Sequence, residues 1–426
     1  MRKLDKFKMS LKNKINKIRK SKDGKVLVEN FVALSLLQVA SYVFPLITLP
    51  YLARIIGVDK FGEIAFASAI IVYFQTIVDW GFNFTATRDI VRNRENIRKV
   101  SKIFCNVIGA KLLLLLGCTI IFAICIYSIP YLYEKRLLLW ITYLYIPGHI
   151  LFPDWFFQAI EKMKYITILN VLSKLLFTVL VFLVIKNKED YIFQPLLIAL
   201  GFFISGCISL WFIFYRFNVQ FIMPSFSSIF GCIRNSWNMF ISLLLPNLYT
   251  NFSIILLNIY GGAVQAGIYS SGKNFIKLSE KFIQVLSRTF FPFLARRIDK
   301  HYLYVKISGS ISIMMGIILF ASANLIVKIF YTDEFVSSST VIRIMAITPF
   351  FFFLMNTYGT NYLVLKNKEN ILRNIILYCS VGGFLLAWIV VTQFGYIGVA
   401  ITITSVWGIR GFLTWLYAAR IEKLKI

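Results

Sequence analysis

Residues 62–84 read GEIAFASAIIVYFQTIVDWGFNF. A helix of this length, at about 1.5 Å per residue, spans the roughly 30 Å hydrocarbon layer of a bilayer, and most of its side chains suit that layer. It is not uniformly apolar. Ser68, Gln75, Asp79 and Asn83 fall on one helical face, which leads on to Arg88 at its rim. A charge at mid-bilayer costs about 2.5–3.5 kcal/mol even on the lenient insertion scale. This stripe must therefore meet water or another polar helix, while the other faces meet lipid or apolar neighbours. The segment implies a helical membrane protein with a polar interior.

Similar spans run along nearly the whole chain. About twelve are expected, at 27–52, 62–84, 100–127, 137–160, 165–186, 191–215, 232–260, 265–290, 304–330, 339–365, 370–392 and 396–419. The composition agrees: 58% hydrophobic against about 45–50% for soluble domains, only 15% charged, with a mean hydropathy of +0.73. The net charge of +27 raises nucleic acid as a partner, but the cations sit in short loops on alternate sides of the spans. With the N-terminus inside, about 31 basic residues fall in cytoplasmic segments, about 7 in outer loops and about eight within spans. Shifting the spans by one reverses that bias, so both termini are expected in the cytoplasm and no nucleic acid is expected. The eleven basic residues of positions 1–25 are not followed by a small-residue cleavage site, so no cleavable signal is expected. The six cysteines lie mostly within spans without CxxC spacing, which favours small core residues over a metal or disulfide framework.

The chain also repeats itself. Gly57-Val-Asp-Lys-Phe-Gly62 joins the first two spans, and Gly262-Ala-Val-Gln-Ala-Gly267 joins the seventh and eighth, an offset of 205 residues that also sets Asn30 on Asn235. A parallel duplication gives two six-helix bundles about a membrane-normal axis. The expected domains are a basic cytoplasmic tail (1–26), an N-terminal lobe (27–215), a cytoplasmic linker (216–231), a C-terminal lobe (232–420) and a short cytoplasmic tail (421–426). Pro45 and Pro50 in the first span and Pro246 in the seventh remove backbone hydrogen bonds and bend helices near equivalent places. Bent helices at a lobe interface suit alternating access.

The densest polar signal is in the eighth span. Lys273, Lys277, Glu280, Lys281, Gln284 and Arg288 lie within about 100° of the helix circumference. Near the span's end Lys281 and Arg288 can simply snorkel to the surface, whereas Lys273 and Lys277 lie deeper. The excess of positive charge favours an anionic ligand. Asp79 is expected either to pair with a lysine of this span or to gate or couple transport. Gln38, with Ser35 and Tyr42, shares the face of the first span that includes Pro45, and Arg54 is an interfacial anchor or a substrate contact. Lys111, Lys174, Arg343 and Arg410 are isolated span cations, each more readily a snorkelling or interhelix contact than a ligand residue. No Walker motif, GxSxG or paired-carboxylate loop occurs, and neither His149 nor His301 has a partner at metal or triad spacing. These features imply a transporter without a cofactor, driven by an ion gradient, the membrane potential or the substrate gradient.

Several motifs carry a resemblance. They are Pro45-Leu-Ile-Thr-Leu-Pro50-Tyr-Leu-Ala-Arg54-Ile-Ile-Gly57, Phe61-Gly62, Asp79-Trp-Gly81-Phe-Asn83-Phe-Thr-Ala-Thr-Arg88, Asp154-Trp-Phe-Phe-Gln158-Ala-Ile-Glu161-Lys-Met163, Gly267-Ile-Tyr-Ser-Ser-Gly-Lys273 and Gly395-Tyr-Ile-Gly398-Val-Ala. Together they resemble the Wzx-type O-antigen and polysaccharide-repeat flippases of the multidrug/oligosaccharidyl-lipid/polysaccharide exporter superfamily. The resemblance implies twelve helices in two lobes around a central, often cationic cavity. It further implies a bacterial inner-membrane protein that moves an undecaprenyl-diphosphate-linked oligosaccharide outward, alongside polymerase and chain-length machinery. Within that frame Lys273, Lys277, Lys281, Arg288, Arg54 and Arg88 are the substrate-binding candidates. Asp79, Glu280 and Asp154 are candidates for gating, coupling or ion pairing, and Gln38, Gln75, Asn83 and Gln284 for lining the cavity. A cation-coupled multidrug exporter of the same fold is the main alternative, disfavoured by buried lysines. A polytopic glycosyltransferase or polymerase is another, and it lacks the large or acidic outer loop such enzymes use. A membrane scaffold is a third, disfavoured by the buried charges.

Overall fold

The computed structural model describes residues 22–296, 298–366 and 368–423, so positions 1–21 of the expected basic tail (1–26) lie outside the described residues and 22–26 belong to the first helix. Among them there is no strand. The α-helices are α1 (Lys22–Asp79), α2 (Phe82–Arg92), α3 (Ile97–Ser128), α4 (Pro130–Glu134), α5 (Arg136–Tyr143), α6 (Tyr145–Ile150), α7 (Asp154–Ala159), α8 (Met163–Val184), α9 (Phe193–Trp211), α10 (Phe226–Thr250), α11 (Phe252–Arg296), α12 (His301–Phe330), α13 (Ser338–Met345), α14 (Thr348–Leu354) and α15 (Glu369–Lys423). All the expected spans fall on helix. Eight continuous helical stretches among the described residues are long and apolar enough to cross a membrane. Two of them, Phe226–Phe291 and Glu369–Ile421, each hold two expected spans on either side of a break, and Val43–Arg92 holds the end of the first expected span and the whole second. The fold is that of an all-helical, multi-pass membrane protein.

Local chemistry explains where helices bend. The expected fourth span is cut into α5, α6 and α7, with Pro147-Gly148 and Pro153 in its path; a proline lacks the N–H that continues a helical ladder. Gly57 (φ 71°, ψ 175°) and Gly262 (φ 78°, ψ 172°) adopt the same left-handed conformation, which a side chain would oppose, and so reverse the chain between consecutive spans. Five residues on in each half, the repeat closes on itself. A Cβ on Gly62 would collide with the carbonyl of Ala263, and one on Gly267 with the carbonyl of Val58. Residues 58 and 263, like 62 and 267, are related by the 205-residue offset. The two halves thus touch through the same patch taken twice, as across a two-fold axis, and small residues let the helices approach to backbone contact.

The Gly57 end is further fastened. The Val58 N–H donates to Glu334 Oε2 at 3.0 Å, and Phe61 sets its edge against Tyr331 and Phe335. The halves meet again along α10. There Trp80 Nε1 donates to the Ile233 carbonyl at 2.9 Å, Trp80 stacks on Phe240 at 3.9 Å, and Thr85 and Ser236 share a 2.7 Å hydrogen bond. The largest apolar cluster is drawn from the second half, with Ala53, Val58 and Ala69 of α1 packed into it. Between these two lines of contact the halves leave a cavity.

Candidate functional cavity

The cavity has a volume of about 590 Å³ and is walled by α1, α8 and α9 on one side and by α10, α11 and α15 on the other. Its polar lining is uneven. The first half contributes Thr48, Ser68, Lys174 and Gln194, and the second contributes Thr250, Asn251, Ser270, Lys273, Asn274, Lys277 and Glu280. Phe61, Phe177 and Trp407 add aromatic surface. Trp407 is fixed by its indole N–H, which donates to Tyr249 Oη at 3.1 Å.

The side chains of α11 follow the expected stripe. Lys273 is buried at 7% exposure with its ammonium 5.4 Å from the centre of the Tyr269 ring, while Lys277 is open to the cavity. Neither lysine has a carboxylate within 4.0 Å among the described residues. Glu280 stands on the same wall, and its buried Oε1 has no hydrogen-bond partner there. Lys281, Gln284 and Arg288 continue the stripe as exposed residues past the cavity lining. The opposite surface of α11 is apolar: Ile276 is fully buried, and Leu278 and Phe282 line an outer groove against α12.

The second-span stripe has a different fate. Gln75 lines a side chamber of about 250 Å³ that shares Ser68, Val72, Gln194 and Ile198 with the main cavity. Behind it Asp79 pairs with Lys111 of α3 at 2.8 Å, with exposures of 16% and 2%. His149 Nδ1 lies 3.6 Å from the same carboxylate oxygen, and Gln75 Nε2 lies within 3.5 Å of both Asp79 Oδ2 and Tyr145 Oη. The expected pairing of Asp79 with an eighth-span lysine is therefore corrected. Lys111 reaches it from the adjacent helix of its own half, whereas Lys273 and Lys277 face the cavity. Asn83 sits further along, its Oδ1 buried without a partner among the described residues.

The remaining candidates lie elsewhere. Arg54 is exposed, Arg88 is exposed and bonded to Asp89 at 2.9 Å, and neither lines the cavity. Asp154 begins α7 and accepts the Trp155 N–H at 2.8 Å. The motif that follows it braces a loop: Arg94 meets Glu161 at 3.2 Å and donates to the Ile160 carbonyl at 2.9 Å. The side chain of Gln38 lies outside the described residues. Lys174, read from sequence as an isolated contact, lines the cavity from the first half. Its spacing on α8 gives no stripe, so only the packing of the halves reveals it.

Electrostatics sorts these cations. Lys111, Lys135 and Arg88 have carboxylate partners at 2.8, 3.2 and 2.9 Å, as structural charges do. Lys273 and Lys277 line a cavity whose lining, among the described residues, holds a single carboxylate, Glu280. Such a surplus in a poorly solvated space attracts an anion with several acceptor oxygens.

Comparison with known proteins agrees with this architecture. Residues 27–298 match the family model described as polysaccharide biosynthesis protein. A provisionally named O-antigen transporter of Escherichia coli (strain K12) is 26% identical over 387 residues, covering 89% of this chain and 93% of that protein. Among solved structures, the lipid II flippase MurJ in an inward-closed conformation aligns with a TM-score of 0.72 at 13% identity, over 92% of this chain and 87% of that one. An inward-facing multidrug-resistance MATE family transporter of the MOP superfamily aligns at 0.66 and 15% identity, over 93% and 99%. The chain belongs to the polysaccharide biosynthesis protein family and has the helical fold of the MOP-superfamily transporters.

Proposed function

We propose that this protein is a flippase that carries an undecaprenyl-diphosphate-linked oligosaccharide across the bacterial cytoplasmic membrane by alternating access. Twelve crossings with both termini in the cytoplasm make the Gly57 end the outer face, so the closed contact of Gly62 and Gly267 shuts the cavity toward the outside. The cargo's diphosphate would sit between Lys174 of the first half and Lys273 and Lys277 of the second. Its prenyl tail can stay in lipid while the headgroup crosses. Glu280 keeps the site from becoming a permanent anion trap, because release on the far side needs the contact to be weak enough to leave. Phe177 and Trp407 offer faces for sugar rings, and Gln194, Asn251 and Asn274 offer amides for hydroxyls. The observation that carries this reading is that Lys273 and Lys277 line the cavity with no carboxylate within 4.0 Å among the described residues. The same observation disfavours a multidrug exporter for cationic drugs.

A charge series at Lys277 tests it through polysaccharide export in cells, at matched membrane levels of each variant. Lys277→Arg is expected to export nearly as wild type, since guanidinium binds phosphate at least as well as ammonium. Lys277→Gln loses the charge-assisted part of the contact, about 1.5–3 kcal/mol. Lys277→Glu also sets a second carboxylate three residues from Glu280, where like charges repel, and is expected to export least. Normal export by a folded Lys277→Glu protein would remove this lysine from the substrate path.

A further inference from the structure

A second cavity lies on the outside of the molecule, between α12 and α13. It is a groove of about 680 Å³ that shares no lining residue with the central cavity. Its walls are Ile313, Ile317 and Phe320 of α12 and Ile347 and Phe350 beyond α13, and the first four of these are half or more exposed. Its floor is the contact of the two helices, where Gly316 approaches the Ala346 carbonyl so closely that an added Cβ would lie 2.7 Å from that oxygen. Ser312, also at the edge, turns its hydroxyl to the Gly309 carbonyl at 2.8 Å and offers the groove nothing polar. The lining is hydrocarbon except at one place.

That place is Arg343. It lies five residues into α13, close below the turn Asp333–Phe335 whose Glu334 reaches Val58. At 1.5 Å per residue this is about 7–8 Å from the start of the helix, within reach of the headgroup layer for a long side chain. Its side chain is exposed and lines the groove, and no carboxylate among the described residues pairs with it. A bare guanidinium on a lipid-facing surface is costly unless something anionic meets it. The groove supplies the other half of the shape: an apolar trough running from that cation toward the membrane interior.

We propose that this groove binds an anionic phospholipid, its phosphate on Arg343 and an acyl chain along Ile313, Ile317 and Ile347. A packed partner helix or a second copy of the chain would bury the guanidinium and would have to bring a carboxylate to the same depth. A phospholipid brings its phosphate there by construction, and basic pockets between membrane helices hold anionic headgroups in this way. The site would anchor the α12–α13 corner beside the Gly57 end, which moves if the halves rock. It does not depend on what the central cavity carries.

Native mass spectrometry of the purified full chain tests the proposal, using dioleoyl phosphatidylglycerol and dioleoyl phosphatidylcholine added in equal amounts. The wild type is expected to retain phosphatidylglycerol over phosphatidylcholine several-fold, because the choline ammonium beside the phosphodiester of the latter opposes the Arg343 guanidinium and the uncharged glycerol of the former does not. Arg343→Gln is expected to abolish that preference while still retaining some of both lipids. Ile317→Trp, which fills the trough and leaves the cation, is expected to lower retention of both. Equal retention of the two lipids by the wild type overturns the proposal whatever the variants do. An unchanged preference in Arg343→Gln also overturns it. If undecaprenyl diphosphate displaces phosphatidylglycerol from the wild type but not from Ile317→Trp, the groove holds a prenyl chain and the proposed occupant is wrong.

Discussion

Two kinds of buried charge coexist within a few turns of helix, and what separates them is whether each finds an opposite charge. Asp79 and Lys111 meet at 2.8 Å on neighbouring helices of one half, with His149 and Gln75 around them. Such a pair contributes little relative to a well-packed apolar replacement, but leaving one member alone costs about 3–5 kcal/mol. Asp79→Asn and Lys111→Met should each lower thermal stability in detergent, and the double variant should lose much less than the two losses added together. Additive losses, read from melting temperatures of the four proteins, would mean that the pair is not coupled. Lys273 and Lys277 have no such partner among the described residues, so replacing either with glutamine is expected to leave the melting temperature nearly unchanged. The sequence offered Asp79 either an eighth-span lysine or a gating role, and it did not point to Lys111. Lys111 lies 32 positions away in a different helix, and no local spacing links the two.

Helical stripes read from the sequence survive well when the stripe is dense. The six polar residues of α11 point as a 100° arc requires, with Lys273, Lys277 and Glu280 in the cavity and Ile276 buried on the other side. Single cysteines at Lys273, Lys277 and Gln284 should therefore react with membrane-impermeant thiol reagents, and those at Ile276, Leu278 and Phe282 should not. Equal labelling of both faces, or of neither, contradicts the cavity assignment. The native cysteines would first be removed, since Cys207 is exposed. The joints at Gly57 and Gly262 were legible in the sequence, whereas the fourth span, read there as one helix over 137–160, is broken near Pro147 and Pro153. Lys174 was not legible, because an isolated cation on α8 becomes part of a site only when the other half is packed opposite it. Asp154 and Arg88 carried a recognisable motif, yet in the structure Asp154 opens a short helix and accepts the next residue's N–H, and Arg88 pairs with its neighbour.

At the scale of the whole molecule, the repeated glycine pairs connect sequence to architecture most directly. The 205-residue offset was visible as spacing, and its meaning lies in a contact: Gly62 against Ala263 and Gly267 against Val58. Topology can be checked on the same scale. A reporter fused after Ser228 or at the C-terminus should read as cytoplasmic, and one near Glu189 as external. An external signal at Ser228 contradicts the proposed orientation of the second half. The central claim is that unpaired lysines in a cavity between two halves hold the diphosphate of a lipid-linked oligosaccharide during its passage. The most direct measurement is translocation of a fluorescent undecaprenyl-diphosphate oligosaccharide in proteoliposomes containing the purified protein. Wild-type protein should move it well above the rate of protein-free vesicles. Lys273→Gln/Lys277→Gln, with an unchanged melting temperature, should slow it by roughly ten-fold or more, the effect of losing at least one charge-assisted contact. Translocation by the double variant at the wild-type rate, or none by the wild type itself, would contradict the account.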